Sequence, residues 1–457
     1  MSGEKRGQSY DPTAFTLVSA SLINHAGEIR DIRNLISEIL IRESLLLPTL
    51  IADITISDTI NFFESFALIG QESIILEIER HPIIEEEPIT IQVEFFISEY
   101  PEYIRSETSA NQQAYTLRGI SAHAYNSKFQ KISRKYSGSA ISEITKIVTK
   151  DLFSSNYAVN GADATSHKGI INIQEPLSAI EYFRKMAFDE NGAPFYFWQS
   201  INGRINLSSL SSLINETANP VYNSYVYLNG FISTPNTFED YIERSVRIRN
   251  LSSKLGLSKL KQSVGGAYAS RVKKLDLSTK TYTENVFNYD NESGIGPRTT
   301  GLAGEKNSVL LSKSFKIGRN NDNTLNTLPD SHCEYLSTNK FAFGNPAIKN
   351  YTTELIDGVG RLNSFYSKLD TMTQTIELCG DFELVAGRKI RLLFPKSMEA
   401  STYKNYNADD YQTEHLDLVL SGVYMISGVN HKFELGVQTN KYTCNIECKK
   451  DSVFSEI

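Results

Sequence analysis

Apolar and polar residues alternate with a period of two along much of this chain, the pattern of strands that bury one face. From Leu50 to Ile56, the residues Leu50, Ala52, Ile54 and Ile56 interleave with Ile51, Asp53, Thr55 and Ser57. Asp58 is placed to cap a short helix in which Ile60 and Phe63 face one way. Gly70 then turns the chain into a second alternating run, Ile74, Leu76 and Ile78 against Ile75, Glu77 and Glu79. Strand, short helix, glycine turn, strand is a building unit and carries no chemistry of its own. Further strands are expected at Phe15 to Asn24, at Ile89 to Ile97 and at Tyr115 to Ile120. The segment Ile29 to Ile41 is ambiguous: Ile32, Leu35, Ile36, Ile39 and Leu40 follow a helical spacing, while β-branched content favours a strand.

Past residue 125 the pattern changes. Ile144, Ile147 and Val148 stand at helical spacing within Ser142 to Leu152, and Leu177, Ile180, Phe183 and Ala187 do so within Pro176 to Asp189, with Pro176 suited to a first turn. The run Pro194 to Trp198 and the run Arg204 to Leu207 flank Asn202-Gly203, a strong hairpin signal. Mixed short strands follow from Val221 to Tyr289, with Gly265-Gly266 as a turn, and Arg244, Arg247 and Arg249 read as alternate positions of a solvated strand. Residues 291–331, rich in Gly, Asn, Thr and Ser, read as long loops. Tyr351 to Leu369 reads as a helix despite Gly358 and Gly360. The last hundred residues return to alternation: Met372, Gln374, Ile376 and Leu378, a turn at Ala386-Gly387, then Ile390, Leu392 and Phe394. Leu416 to Leu420, Val423 to Val429 and Tyr442 to Cys448 complete them, echoing the unit at Leu50 to Ile78.

At 457 residues the chain is long for one core and suggests about three domains. A formal net charge of -7 argues against wrapping nucleic acid through phosphate contacts, which needs a basic stripe. The first residues, MSGEKRGQSYDPTAF, hold no apolar signal region, which places synthesis and retention in a cytoplasm. Charged residues and Pro48 interrupt Leu35 to Ile56, so no membrane span is expected. Cys333, Cys379, Cys444 and Cys448 lack Cys-x-x-Cys spacing. Cys444 and Cys448 share a face with Tyr442 and Ile446 and read as buried thiols in preference to half a zinc site.

No phosphate-binding loop, nucleophile elbow or zinc-protease helix is present. The seven histidines are scattered singly. Glu181 with Asp189, or Asp409 with Asp410, has the composition for acid–base work at a glycoside, but nothing in the surrounding sequence fixes either pair at a bond. No catalytic, cofactor or metal residue is therefore assigned. Leu45, Leu46, Leu47 and Pro48 are the candidate interface, because three adjacent leucines at a strand break cannot all point into one core.

Ile41-Arg42-Glu43-Ser44, Ala52 to Asp58 and Leu68-Ile69-Gly70-Gln71-Glu72 resemble the first tube-like barrel of the baseplate hub proteins of contractile-tailed bacteriophages. Pro176 to Leu213, Gly266-Ala267-Tyr268 and Lys274 to Leu277 resemble that family's middle domain. Gly380-Asp381, Ala386-Gly387, Leu420 to Tyr424, Val429-Asn430-His431 and Tyr442 are similar to the second barrel shared with late-control proteins and secretion-spike hubs. The stretch 291–331 departs from the family pattern. The resemblance implies a β-rich α+β fold with two tail-tube-like β-barrel domains at 1–125 and 351–457. Between them lie a small α+β middle domain at 126–215 and a mixed β segment with long loops at 216–350. It implies a homotrimer joining the hexameric tail tube to the three-fold spike beside other baseplate proteins, in the virion and assembled in the host cytoplasm. No cofactor is implied, DNA only passes through, and Ile29 to Ile41 becomes a strand. A tail-associated peptidoglycan-degrading enzyme and a host-surface adhesin are the alternatives.

Overall fold

A computed structural model describes residues 11–66, 68–80, 88–105, 112–163, 167–190, 192–215, 217–227, 238–255, 259–277, 279–288, 308–309, 324, 327–338, 351–369, 372–396, 416–417, 419–436, 439–450 and 452–453. Its first part contains β1 (Phe15–Ile23), β2 (Ile29–Asp31), β3 (Ile36–Ser44), β4 (Ile51–Asp58), α1 (Phe62–Ser65), β5 (Ser73–Arg80), β6 (Ile89–Arg105), β7 (Gln113–Ser121) and α2 (Ala122–Lys128). The strands bond in the order β3-β4-β7-β6-β5-β1-β2, and every pair is antiparallel. The alternating residues do what their spacing requires: Ala52, Ile54, Ile56, Ile74, Leu76 and Ile78 are all buried.

The ambiguous segment is a strand over most of its length, entered through a single 3-10 turn at Arg33–Leu35. Its helical spacing has a physical cause. A bulge between Ile36 and Glu38 shifts the parity, so the inward residues are Ile36, Ile39 and Ile41, and one inserted position turns a period of two into an apparent three. Asp58 does hold the following turn, accepting from the N–H groups of Ile60 and Phe63. Ile60, however, precedes the helix and is exposed, and the buried helical residue is Phe62.

The middle part comprises β8 (Ile132–Gly138), α3 (Ala140–Lys150), β9 (Tyr157–Asn160), β10 (His167–Gln174), α4 (Pro176–Met186), β11 (Phe195–Gln199), β12 (Ile205–Ser209) and α5 (Leu210–Ile214). Ile144, Ile147, Ile180, Phe183 and Phe197 form its separate core. Asn202-Gly203 makes the expected hairpin, with Gly203 at φ +78°. Next come β13 (Val221–Tyr227), α6 (Phe238–Val246), β14 (Arg247–Ile248), β15 (Asn250–Leu255), α7 (Lys259–Val264), β16 (Ala269–Asp276), β17 (Thr281–Asn288), β18 (Ser308–Val309) and β19 (Cys333–Thr338). Arg244, Arg247 and Arg249 are therefore not positions of one strand, since Arg244 lies in the last turn of α6. Most of the Gly/Asn-rich stretch 291–331 lies outside the described residues.

The last part holds α8 (Tyr351–Leu369), β20 (Met372–Cys379), β21 (Lys389–Leu393), β22 (Gly422–Glu434), β23 (Lys441–Lys450) and β24 (Ser452–Val453). Here β22 is the hinge of the whole sheet. One edge of β22 bonds first to β21, at Gly422 to Met425, and then to β3, at Gly428 to Glu434. Its other edge bonds to β23, which continues through β20 to β15. Two strand systems remote in sequence thus share one strand and one continuous apolar interior. The segment from Arg247 to Leu255 completes the second system, pairing with β13 through Arg247 and Ile248 and with β20 from Asn250 onward.

On the outer face, Asp53 of β4 bridges Arg42 of β3 at 2.6 Å and Arg118 of β7 at 2.7 Å. Burial alone would raise this carboxyl, but hydrogen bonds from Arg118 and Arg42 outweigh it and hold it below the usual aspartate range. Its stabilisation is present above that range and is lost as pH falls through the lowered folded value. Because water reaches both guanidinium groups, Asp53→Asn is expected to cost only about 1 kcal/mol in denaturant melts, and less in high salt.

Candidate functional site at the junction of three strand systems

Residue parity along β3 carries Ile39, Ile41 and Glu43 to the same inward face, so an acidic side chain enters the core at the end of an apolar series. Glu43 is 1% exposed. One carboxyl oxygen, Oε1, accepts from the N–H of Ala386 at 2.6 Å, and Oε2 accepts from the N–H of Ile201 at 2.8 Å. Ile201 belongs to the β11–β12 turn, and Ala386 to the Ala386-Gly387 turn that leads into β21. That second turn needs the positive φ of Gly387 and packs against Trp198 of β11. A single side chain thereby fastens three parts of the fold together.

Opposite lies His431 of β22, across from both Ile41 and Cys444. Its Nδ1 is 2.8 Å from Tyr442 Oη and 3.4 Å from Cys444 Sγ, while its Nε2 faces Glu43 Oε2 at 3.9 Å without a hydrogen bond. Burial pushes the Glu43 carboxyl up to about 8 against the hydrogen bonds of Ala386, Ile201 and Ser200, and it pushes the His431 imidazole down to about 3. The pair is therefore a protonated acid facing a neutral ring near neutral pH, and not an ion pair. Burial also raises the Tyr442 phenol well above its ordinary value and the Cys444 thiol to about 12. Carboxyl, imidazole, phenol and thiol together have the composition of a nucleophilic site. With His431 and Cys444 at 0% exposure, no substrate reaches them, and the thiol stays protonated and inert.

The candidate interface loop begins directly after this cluster and is pinned at both ends. The N–H of Leu45 donates to Ser427 O, and its side chain is buried with Trp198 and Phe365. At the other end, His123 Nε2 lies 3.2 Å from Pro48 O, and Thr49 bonds to Ser121. Leu46, by contrast, is 70% exposed, and Leu47 and Pro48 are half-buried. The three leucines divide as the sequence required, one inward and one fully outward. A second tie between the parts lies nearby: Arg80 of β5 pairs with Asp381 at 2.7 Å, and Tyr222 of β13 donates to the same carboxylate at 2.8 Å.

The other sequence candidates do not converge. Glu181 is held by Arg184 through two hydrogen bonds, whereas Asp189 accepts from the N–H of Ala193, so the two serve separate local structures. Asp409 and Asp410 lie outside the described residues. Cys379, Cys444 and Cys448 are buried and Cys333 is exposed, and no group of three metal-ligating side chains occurs among the described residues. No helix among the described residues is long and apolar enough to cross a membrane. Sequence reasoning missed Glu43 and His431 as partners, because 388 positions separate them; the available signal was the acidic residue at an inward parity of β3.

No protein-family model matches this chain, and no curated protein does. Solved structures do match it. The tail protein from Neisseria meningitidis superposes with a TM-score of 0.50 at 10% identity, covering 96% of this chain and 97% of that one. A prophage tail protein from Shewanella oneidensis gives 0.49 at 10% identity, covering 95% and 99%. An Escherichia coli component of the type VI secretion system, described as structurally similar to bacteriophage T4 tail proteins, gives 0.41 at 8% identity, covering 92% and 74%. The fold is thus shared with a tail protein over almost the whole of both chains.

Proposed function

We propose that this chain is the hub of a phage-type tail baseplate: three copies close into a ring that joins a six-fold tail tube to a three-fold spike and leaves a channel for the genome. The observation that carries the reading is β22, bonded along one edge to β21 and β3 in succession and along the other to β23. A strand shared in this way joins two tube-like units rigidly within one subunit, and rigid pairing is what lets three subunits present six equivalent units. Residues 1–125 and 351–457 supply these two barrels in this reading, the segment 216–350 contributes the strands that complete the second, and 126–215 stands outside the ring as the middle domain. Closure of the ring also covers strand edges that would otherwise template aggregation.

In this role the chain performs no reaction and holds no cofactor. Its partners are two further copies of itself, the tube protein, the spike and other baseplate proteins, in a virion tail assembled in the host cytoplasm. The buried Glu43 cluster serves rigidity at the place where the two units meet. Leu46 is the leading contact residue, since it projects from a loop whose both ends are fixed. Leu46→Asp is expected to leave the monomer's unfolding free energy within about 0.5 kcal/mol of the parent while shifting the light-scattering mass from trimer to monomer. A variant that still forms the full trimer removes this loop from the interface. Leu45→Ala, one residue away but buried, is expected to lose about 2–5 kcal/mol in the same melts.

A further inference from the structure

Away from the junction, the middle part contains a cleft of about 910 Å³ between α3 and the β8–β10 pair. Its size falls within the range of small-molecule sites. Five cations line it, Arg134, Lys135, Lys146, Lys150 and Lys168, against the single carboxylate of Glu143. That concentration stands out in a chain of net charge -7. Two of the five have acidic partners: Arg134 holds Asp151 through its two terminal nitrogens, Nη1 and Nη2, and Lys146 pairs with Glu143 at 2.6 Å. Lys135, Lys150 and Lys168 are exposed, and no described carboxylate pairs with them. Their origins differ, one from each of β8, α3 and β10, so the convergence is a product of the fold and not of a local charge run. Tyr136 and Tyr182 add an aromatic surface, with hydroxyls 3.4 Å apart. Gly169 allows this arrangement, because a Cβ there would stand 2.6 Å from Tyr136 Oη.

We infer that this cleft binds a compact polyphosphate-bearing anion, either a free phosphate chain or the phosphate chain of a nucleotide. Concave low-dielectric walls focus the field of the three lysines, and an anion relieves their mutual repulsion. The planar fork of Arg134, which suits bidentate capture of a carboxylate, is already occupied by Asp151. What remains are ammonium point charges, which suit phosphate oxygens approaching from several directions. An acidic peptide fits less well, since an extended segment presents its side chains to one side only at every second residue.

The test is calorimetric titration of the full chain at low salt with sodium tripolyphosphate and, separately, with adenosine triphosphate. Saturable binding of tripolyphosphate is expected, weakened about tenfold by Lys135→Ser, Lys150→Ser or Lys168→Ser alone and abolished by the triple variant. Lys185→Ser, outside the cleft, is expected to change nothing. Equal affinity for both anions identifies a phosphate-chain site, and tighter binding of the nucleotide identifies one that also uses the tyrosines. Circular dichroism of the triple variant separates loss of binding from loss of fold. Absence of saturable binding by the folded parent, binding that survives in the folded triple variant, or tighter binding of poly-glutamate than of tripolyphosphate overturns the inference.

Discussion

Glu43→Gln is expected to abolish the decline of this protein's stability between about pH 6.5 and 8 and to move its optimum upward in pH. The folded value of Glu43 stands at about 8 against 4.5 for the free carboxyl. Between these values the folded state holds a proton that the unfolded chain has released, so stability falls by about 1.4 kcal/mol per pH unit as pH rises. His431 acts in the opposite sense. Its folded value is about 3 against 6.5, so the unfolded chain holds the extra proton and stability falls as pH drops through that window. The two slopes cancel where they overlap, from about pH 4.5 to 6.5. Taken alone, this pair gives a plateau with losses of about 2 kcal/mol on each side, toward pH 3 and toward pH 8, and His123 and His167, also lowered by burial, steepen the acid side.

Glutamine cannot ionise, so its profile loses the Glu43 slope and is flat from about pH 6.5 to 8. Above that range the buried Cys444 and Cys448 thiols, also raised by burial, bring a decline of their own. The substitution also has a fixed cost. Both oxygens of Glu43 accept backbone N–H groups, and the glutamine amide must turn a donor toward one of them, which costs about 1–3 kcal/mol at every pH. Chemical denaturation from pH 4 to 9 reads both effects. A variant whose slope between about pH 6.5 and 8 equals the parent's shows that Glu43 is ionised in the native state and contradicts the protonated assignment.

Gly380→Ala is expected to be among the most damaging single substitutions in the chain. A Cβ at this position would stand 2.1 Å from Cγ of Tyr442. Tyr442 has nowhere to move: its ring stacks on Phe433 at 4.2 Å, its hydroxyl contacts His431, and its carbonyl already accepts from the Gly380 N–H at 2.9 Å. Relief requires the end of β20 to separate from β23, so the loss expected in equilibrium melts is at least about 3 kcal/mol. A drop below about 1 kcal/mol would mean that the turn after β20 is softer than its packing indicates. The double variant Gly380→Ala with Tyr442→Ala is expected to be less than additive, because the truncated side chain vacates the space the new methyl enters.

Much of this fold is legible in the sequence because a half-buried strand writes its register directly into alternate residues. Ala52, Ile54 and Ile56 on β4 and Ile74, Leu76 and Ile78 on β5 could be assigned a face before any coordinates. The Asn202-Gly203 hairpin and the helix at Tyr351 to Leu369 are local signals of the same kind. Legibility fails where geometry departs from local order. The bulge at Ile36 to Glu38 mimics a helical period, and the double pairing of β22 depends on strands nearly 400 residues apart in the chain. Sites fare worse than elements. Leu45 to Pro48 was recognisable as a run that cannot be wholly buried, but not which leucine turns outward. Nothing in the order of residues brings His431 to Glu43, or Lys135, Lys150 and Lys168 around one cleft. Such convergences belong to topology, and alternation is blind to them.

The ring itself is tested most directly by mass and symmetry of the purified chain, using light scattering and class averages from negatively stained particles. The expected result is a particle of three times the 51.3 kDa subunit mass, annular in projection and with a central opening surrounded by six similar densities. A stable monomer at micromolar concentration, without annular particles, contradicts the hub.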